Sequence, residues 1–408
     1  KADLNKLGSD LIVETGDPVV TIPSLIKKYK CSALFINKDY ERYAIDRDKE
    51  ISKILAKNNT QLNKYKDQVI FEEKEILTQN STPYTVFTPY RNNHLKKIFN
   101  EGITQFDCES YKDNFAKFNF GPLLTLKNIG FKETNLSAIN LRAGTKGGLI
   151  LIEDFKKRIQ NYDINRNFPG TKGVSYLSVH NRFGTISIRH LAKITLTNGS
   201  QGSSTWLNEL IWRDFYFQIL SNFPHIQDGK SFKIKYNNLK FENDETKFRA
   251  WTTGNTGFPI VDAGMRQLNS TGYMHNRLRM IIACFLVKDL LIDWRWGEKY
   301  FADHLIDFDL SANNGGWQWA ASTGCDAQPY FRIFNPTLQS EKFDPDGKFI
   351  KKYVPELKLL NKKEIHQPSV FFNKSPNNFP IKIGLDYPFS IVNHAEQKAK
   401  VMALFRKC

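Results

Sequence analysis

The chain reads as two units of different class. Residues 1–85 form an α/β unit of Rossmann-like kind with an incomplete parallel sheet, and residues 151–408 form an all-α unit. Residues 86–150 are the long linker between them. Three observations carry this division. Short β-rich runs alternate with charged, helix-like stretches near the N-terminus; Asn, Pro, Gly and Thr fill the middle with little periodicity; and from about residue 150 apolar residues recur at i, i+3, i+4 spacing. At 408 residues there is room for two cores.

Taken in order, Asp10–Thr15 (DLIVET), Ser32–Asn37 (SALFIN) and Asp67–Glu73 (DQVIFEE) are the expected strands. Three strands are few for a crossover sheet, and no initiator methionine opens the chain, so further strands are expected upstream. Lys57–Lys66 reads as compositional bias. The middle should hold only short helical pieces, and its Gly144–Gly148 (GTKGG) lacks the spacing of a phosphate loop. Helices are expected in "GLILIEDFKKRI", "SIRHLAKI", "TWLNELIWRDFYFQIL", "VDAGMRQLN" and "HNRLRMIIACFLVKDLL". A proline-bearing stretch over 367–386 precedes a last amphipathic helix, "HAEQKAKVMALF".

Composition narrows the class. Hydrophobic residues at 41% and charged residues at 25% suit a soluble protein, and no apolar run reaches the ~18 residues a membrane span needs. Five scattered cysteines without a CxxC pair argue against a disulfide or metal framework and for a reducing cytoplasm. A net charge of +16 points to a polyanionic partner, although a lysine-rich chain also arises from an AT-biased genome. All seven tryptophans lie between Trp206 and Trp319, which suits a site that stacks on flat rings.

Four segments have residue types that chemistry needs. Trp206, Glu209, Trp212 and Arg213 fall along one side of a helix, and a glutamate on a core-facing side calls for a partner. Asn276 and Met280 are four apart, flanked by Arg277 and Arg279, a set suited to phosphates and base edges. In "IDFDLSANNGGWQW", two asparagines and two glycines let backbone approach something closely before Trp317 and Trp319. "VSYLSVHNRFGTIS" places hydroxyls and amides at what reads as a helix start, a place for pyrophosphate or merely a cap.

Together these segments resemble the photolyase/cryptochrome family, and within it the class I cyclobutane pyrimidine dimer photolyases of bacteria. The resemblance covers nearly the whole chain. It is densest from Trp206 to Pro336, through "WLNELIWRDFY", "TGFPIVDAGMRQLNSTGYMHNRLRM", "FLVKDLLIDWRWGEKYF" and "DLSANNGGWQWAASTGCDAQPYFRIFNP". It implies an antenna role for the N-terminal α/β unit and an FAD-binding role for the helical one.

The positions matching the family's FAD contacts are Tyr162, Val174, Ser175, Tyr176, Leu177, Ser178, Trp206, Asp307, Phe308 and Asp309. Asn313 falls beside the reactive nitrogen of the flavin's central ring, where several cryptochromes carry aspartate or cysteine. Trp317 and Trp294 match the inner two of three tryptophans that pass electrons to the flavin. For the substrate, Trp212 and Trp319 match two aromatic walls, Glu209 the carboxyl on the thymine edge, and Asn276 and Met280 residues that touch the dimer. Arg166, Arg213, Arg277, Arg279, Arg332 and Gln339 fall at or near DNA-contacting positions. The implied reaction uses no metal and no nucleophile. Blue light excites FADH−, an electron passes to a flipped-out pyrimidine dimer, the ring opens and the electron returns. A cytoplasmic monomer acting on dimer-containing DNA is expected.

Three departures qualify the resemblance. Phe241 stands at the outer tryptophan position, so Tyr236 or Trp296 would have to substitute. The pairs that would hold a folate antenna align with Tyr43 and Ala44 and with Gln227 and Asp228, which implies no ordinary folate site. Val174 replaces a threonine, at a cost of one hydrogen bond, about 0.5–1.5 kcal/mol. The alternatives are a cryptochrome-like light sensor without repair activity and a basic protein that coats nucleic acid. The first would show no preference for the lesion, and the second would carry no flavin.

Overall fold

The computed structural model describes residues 1–106, 109–132, 134–136 and 141–407. Helices α1 (Ala2–Lys6) and α2 (Pro18–Tyr29) precede strand β1 (Ala33–Asn37), and α3 (Arg42–Ala56) crosses over to β2 (Gln61–Tyr65). The two strands pair in parallel, Ala33 opposite Gln61 and Asn37 opposite Tyr65. Helix α4 (Phe87–Glu101) leads into the helical body of α5 (Gly144–Lys156), α6 (Tyr162–Asn165), α7 (Ser178–Phe183), α8 (Ile188–Asn198), α9 (Gln201–Asn222), α10 (Glu245–Thr253), α11 (Pro259–Thr271) and α12 (Asn276–Cys284). It continues with α13 (Trp294–His304), α14 (Leu310–Ala321), α15 (Pro336–Phe343), α16 (Lys348–Tyr353), α17 (Pro368–Lys374) and α18 (His394–Arg406).

The N-terminal expectations need correction. Only Ser32–Asn37 contains a strand as expected. Residues 10–15 are irregular, anchored by the Asp10 carboxylate, which accepts the Leu11 and Phe120 amides at 2.8 Å. The segment 67–73 is not a strand either, because its Ile70 and Phe71 amides donate instead to the buried Asp214 carboxylate, at 2.8 and 3.1 Å. The second strand is Gln61–Tyr65, inside the stretch taken for compositional bias. Residues 87–101 form a full helix, not linker. Phe87, Tyr90, His94 and Ile98 lie on one side of α4 and join the core that contains Ile211 and Phe215 of α9. The GTKGG segment is the opening of α5.

Two large cores result. One gathers Tyr40, Val69, Ile70, Phe71, Phe87 and Tyr90 with the apolar residues of α5, α8 and α9. The other is built from α10 to α16, with Trp251, Trp294 and Trp317 inside it. A third, small one (Tyr236, Leu239, Leu291, Val401, Phe405) seats the C-terminal helix α18. Helix α9 is buried around most of its circumference, and packs against α4, α6, α8 and α14.

Between α12 and α13 the chain widens into one π-turn, Phe285–Asp289, which directs two charged side chains inward. The Lys288 ammonium meets the Ser322 hydroxyl at 3.0 Å and the Phe405 ring at 4.0 Å, and Asp289 pairs with His394 at 2.5 Å. Both contacts tie α18 down. Burial disfavours the charged amine and lowers its pKa to about 8. Below that value the charge is held in the interior at a cost; between about pH 8 and 10 the folded amine sheds its proton while the unfolded one keeps it, so the cost fades. Lys288→Met is therefore expected to stabilise the protein at neutral pH by about 1–3 kcal/mol and to flatten the gain toward pH 10. Urea midpoints equal to the wild type's across this range would contradict this assignment.

Candidate functional site

The helical body carries many of the singled-out residues on α9, α12 and α14, with α14 packed against both of the others. Arg166, just after α6, donates to Glu209 of α9 at 2.6 Å, with the guanidinium 21% and the carboxylate 27% exposed. Burial alone would pull the Arg166 pKa down, and the Glu209 carboxylate more than offsets that. This is the partner that a glutamate on that face required. Beside it Tyr162 is buried, its phenol pushed up by burial and by the Glu209 charge. Trp206 is also buried, edge-on to Phe155 at 4.7 Å. Trp212 is half-buried and lies flat on Phe87, with centroids 3.7 Å apart and planes 8° apart.

Helix α12 faces the same region. The His275 side chain caps it by accepting the Arg277 amide through Nδ1 at 3.1 Å. That contact places the imidazole proton on Nε2, a buried donor with no partner. Burial, with Arg277, Arg279 and Arg166 nearby, pushes the His275 pKa down to about 3, so the ring stays neutral. Asn276 is exposed and Met280 half-buried, with an Arg277 nitrogen 3.8 Å from the Met280 sulfur. The Arg277 guanidinium also sits over the Phe343 ring at 4.4 Å and donates to Asn167. Its neighbours Arg166 and Glu209 act on it electrostatically, which joins α6, α9 and α12 in one field.

Helix α14 supplies the third wall. It starts at Asp309, whose carboxylate accepts the Ala312 amide at 3.2 Å and the Ser311 hydroxyl. Asn313 is oriented through its amide nitrogen, which donates to the Glu298 carbonyl at 3.1 Å. One turn on, Trp317 is buried with its indole N–H unpartnered. The expected close approach is real at Gly315, where a Cβ would lie 2.2 Å from the Tyr216 ring of α9. Gly316 faces open space. Trp319 is half-buried and tilted against Phe334, while Arg332 is exposed and Gln339 half-buried.

Two arginines expected at the DNA surface are committed elsewhere. Arg213 donates to the carbonyls of Gln68 and Asn181 and covers the Phe217 ring at 4.6 Å, so it fastens α9 to the N-terminal unit. Arg279 grips both oxygens of the buried Asp307, at 3.0 and 2.7 Å, and takes the Met274 carbonyl at 2.9 Å. Phe308 is half-buried between Asp307 and Asp309.

The segment 174–178 leads into the expected helix start, at Ser178. Helix α7 is only six residues long, and its N-cap Leu177 has no capping side chain. The loop before it holds what a phosphate group needs. The Ser178 hydroxyl is buried and unpartnered, and Tyr176 adopts a left-handed φ of 60°. Such strain in a non-glycine residue accompanies functional loops. Ser175 and Val174 are half-buried beside it. With the orphaned Trp317 and His275 N–H groups, these donors fit a large polar–aromatic cofactor such as FAD. Tyr162, Ser175, Ser178, Trp206 and Asn313 are the residues that would hold it.

Of the positions aligned with the folate pairs, Gln227 and Asp228 bond to Arg42 and Tyr40. The Arg42 guanidinium meets Asp228 at 2.5 Å, its amide donates to Gln227 at 2.8 Å, and Gln227 donates to the Tyr40 carbonyl at 3.3 Å. Ala44 is buried and Tyr43 exposed. A separate cavity of about 1160 Å³ opens at the carboxyl ends of β1 and β2, among Phe35, Tyr65, Phe71 and Arg189. Around the electron-carrying positions, Trp294 is buried under Arg295, Tyr236 packs edge-on to Phe405, and Trp296 edge-on to Phe248.

Comparison with known proteins decides the family. A model described as the FAD binding domain of DNA photolyase matches residues 206–407, and one described as DNA photolyase matches residues 1–108. The deoxyribodipyrimidine photo-lyase of Escherichia coli K12 is 38% identical, over 98% of this chain and 85% of its own length. That of Vibrio cholerae is 37% identical over 95% and 82%. The chain belongs to the photolyase/cryptochrome family. Among solved structures, a class III photolyase from Agrobacterium tumefaciens superposes with a TM-score of 0.88 at 33% identity, covering 100% of this chain and 85% of that one. A cryptochrome from Synechocystis gives 0.85 at 28%, covering 99% and 85%. The fold is that of photolyases and cryptochromes, an α/β N-terminal part followed by a helical FAD-binding domain.

Sequence reasoning missed His275, Tyr273 and Glu298. Tyr273 is flanked by Tyr176 at 5.8 Å and lies in the field of Arg279 and Asp307, and Glu298 carries Asn313 on its carbonyl and Asn314 on its carboxylate. A histidine next to Asn276 was the one signal available. The Arg279–Asp307 pair yields a direct test, since Asp307 is 2% exposed at its side chain. Arg279→Ala should destabilise by about 3 kcal/mol, and Arg279→Ala/Asp307→Ala by clearly less, as measured by urea unfolding. Additive losses in the double variant would mean that the two groups are not coupled.

Proposed function

We propose that this protein splits cyclobutane pyrimidine dimers in DNA under blue light, with FAD seated among Tyr162, the 174–178 loop, Trp206 and Asn313. The observation that carries the reading is the joint placement of Glu209, Trp212, Asn276 and Met280 on accessible faces of α9 and α12, packed beside the helix that bears Asn313 and Trp317. The E. coli and V. cholerae relatives, named deoxyribodipyrimidine photo-lyase, support the substrate assignment.

Each residue then has a physical task. Reduced FAD, when bound and excited, supplies the electron that opens the cyclobutane ring and receives it back. Asn313, held by Glu298, offers a neutral amide to the flavin ring. Phe87 backs one face of Trp212 and so presents the other as a flat wall for a base, with Trp319 as the second wall. Arg166 holds one Glu209 oxygen, which leaves the second for a donor on the thymine edge. Asn276 and Met280 close over the dimer, and a closed, low-dielectric pocket strengthens the stabilisation of its transient negative charge. Arg277, Arg332 and Gln339 contact DNA, and the +16 charge draws the polyanion in. Arg213 and Arg279 act as internal braces in this reading.

In this reading the acting unit is a monomer. No helix among the described residues is long and apolar enough to cross a membrane, and the enzyme works where DNA lies, in the cytoplasm. No folate is assigned, since Gln227 and Asp228, at two of the positions its holders would take, both bond to Arg42. The test is absorbance recovery of ultraviolet-irradiated oligothymidine with the reduced protein under blue light. Recovery is expected in light and not in darkness, and Glu209→Ala should slow it roughly 10- to 100-fold, the worth of one hydrogen bond to a charged group. No recovery with flavin bound and reduced would overturn the proposal in favour of a light sensor.

A further inference from the structure

The loop after Arg166 makes only short turns of its own: Phe168 N–H to Asn165, Thr171 N–H to Phe168 and Gly173 N–H to Thr171. Its shape is set from outside, by the end of α5 and the residues just after it. One Arg158 nitrogen donates to the carbonyls of Lys172 and Val174, at 3.3 and 2.5 Å. A second donates to Asp154 at 2.8 Å, the second oxygen of Asp154 takes the Lys172 ammonium at 2.7 Å, and the third Arg158 nitrogen, Nε, is buried without a partner among the described residues. The guanidinium lies between the Phe155 and Tyr176 rings, 5.1 and 5.8 Å from their centroids, and its own side chain is 18% exposed. Asp154 lies in the last turn of α5 and Arg158 two residues beyond its end, and both reach the same loop.

This circuit aims a peptide group. In a trans peptide plane the carbonyl and the following N–H point in opposite directions. Holding the Val174 carbonyl against Arg158 turns the Ser175 N–H away from Arg158. That N–H finds no acceptor among the described residues, and neither does the buried Ser178 hydroxyl. Gly173 makes the arrangement possible, since a Cβ there would lie 2.2 Å from the Asn165 carbonyl oxygen. The next residues complete it, with Tyr176 left-handed and lodged against Tyr273. Valine at 174 brings no hydroxyl, so the contribution of this position is its main chain, and its main chain is what Arg158 holds.

We propose that Arg158, with Asp154 and Lys172, is a positioning residue that clamps segment 172–176 into the form that receives the cofactor's phosphates. The proposal rests on the reading that this segment holds the FAD pyrophosphate. Arg158 touches no cofactor atom in it; the residue acts through the Val174–Ser175 peptide.

The experiment compares FAD and riboflavin binding to flavin-free Arg158→Met, Arg158→Lys and Ser178→Ala, with hydrogen exchange of residues 171–178 in the flavin-free proteins. Riboflavin has the ring system and no phosphate. Arg158→Met is expected to weaken FAD roughly tenfold, leave riboflavin within about twofold and speed exchange in the segment. Arg158→Lys should recover part of the loss. A general packing defect would weaken both flavins together, and that result overturns the clamp. FAD affinity unchanged in Arg158→Met but reduced in Ser178→Ala also overturns it while keeping the phosphate site. Affinity unchanged in both sinks the clamp and the phosphate reading alike. Should Arg158→Met fail to fold, Asp154→Asn frees Arg158 and Lys172 while keeping the aromatic contacts, and the same pattern is expected at roughly threefold.

Discussion

The molecule depends on a helix that is buried on nearly every side and yet carries Glu209, Arg213 and Asp214 in succession round its middle. Charges in such a place must be satisfied or the helix cannot sit there. Each is met by a different part of the chain, although Oδ1 of Asp214 is buried without a partner among the described residues. Asp214 takes the Ile70 and Phe71 amides and a His94 nitrogen, Arg213 takes the Gln68 and Asn181 carbonyls, and Glu209 takes Arg166. The first two fasten the N-terminal unit to the helical body. The third faces outward and forms the floor of the site. One helix thus joins the two units and aims the chemistry.

That dependence explains what the sequence could tell. The segments of α9, α12 and α14 were legible because their apolar residues repeat at helical spacing and their polar residues stand in dense, unusual groups. The N-terminal unit was not. Residues 67–73 look β-rich, but their amides are taken by Asp214, a residue 144 positions from Ile70 that no local pattern announces. The strand Gln61–Tyr65 has a polar composition and no fully buried residue, so it has no alternation to read. Helix α4 was hidden because its buried stripe includes a histidine and tyrosine set among asparagines and a proline.

The site shows the same division. The motifs name candidate residues, whereas the partners of those residues could not be read from them. Nothing in "WLNELIWRDFY" or "HNRLRM" says that Arg213 and Arg279 turn inward while Arg277 stays beside Met280. His275 escaped notice because its importance is a buried, unpartnered N–H, a property that only packing creates. Arg42 closes on Asp228 and Gln227, so the two units meet there through each other's polar groups.

The central claim is that one pocket holds an electron donor and a pyrimidine dimer close enough for transfer. The most direct measurement is the fluorescence lifetime of the reduced flavin in the intact protein, with a dimer-containing oligothymidine and with its undamaged counterpart. The account predicts a lifetime shortened by the damaged strand and unchanged by the undamaged one. An unchanged lifetime with the damaged strand fully bound would contradict it.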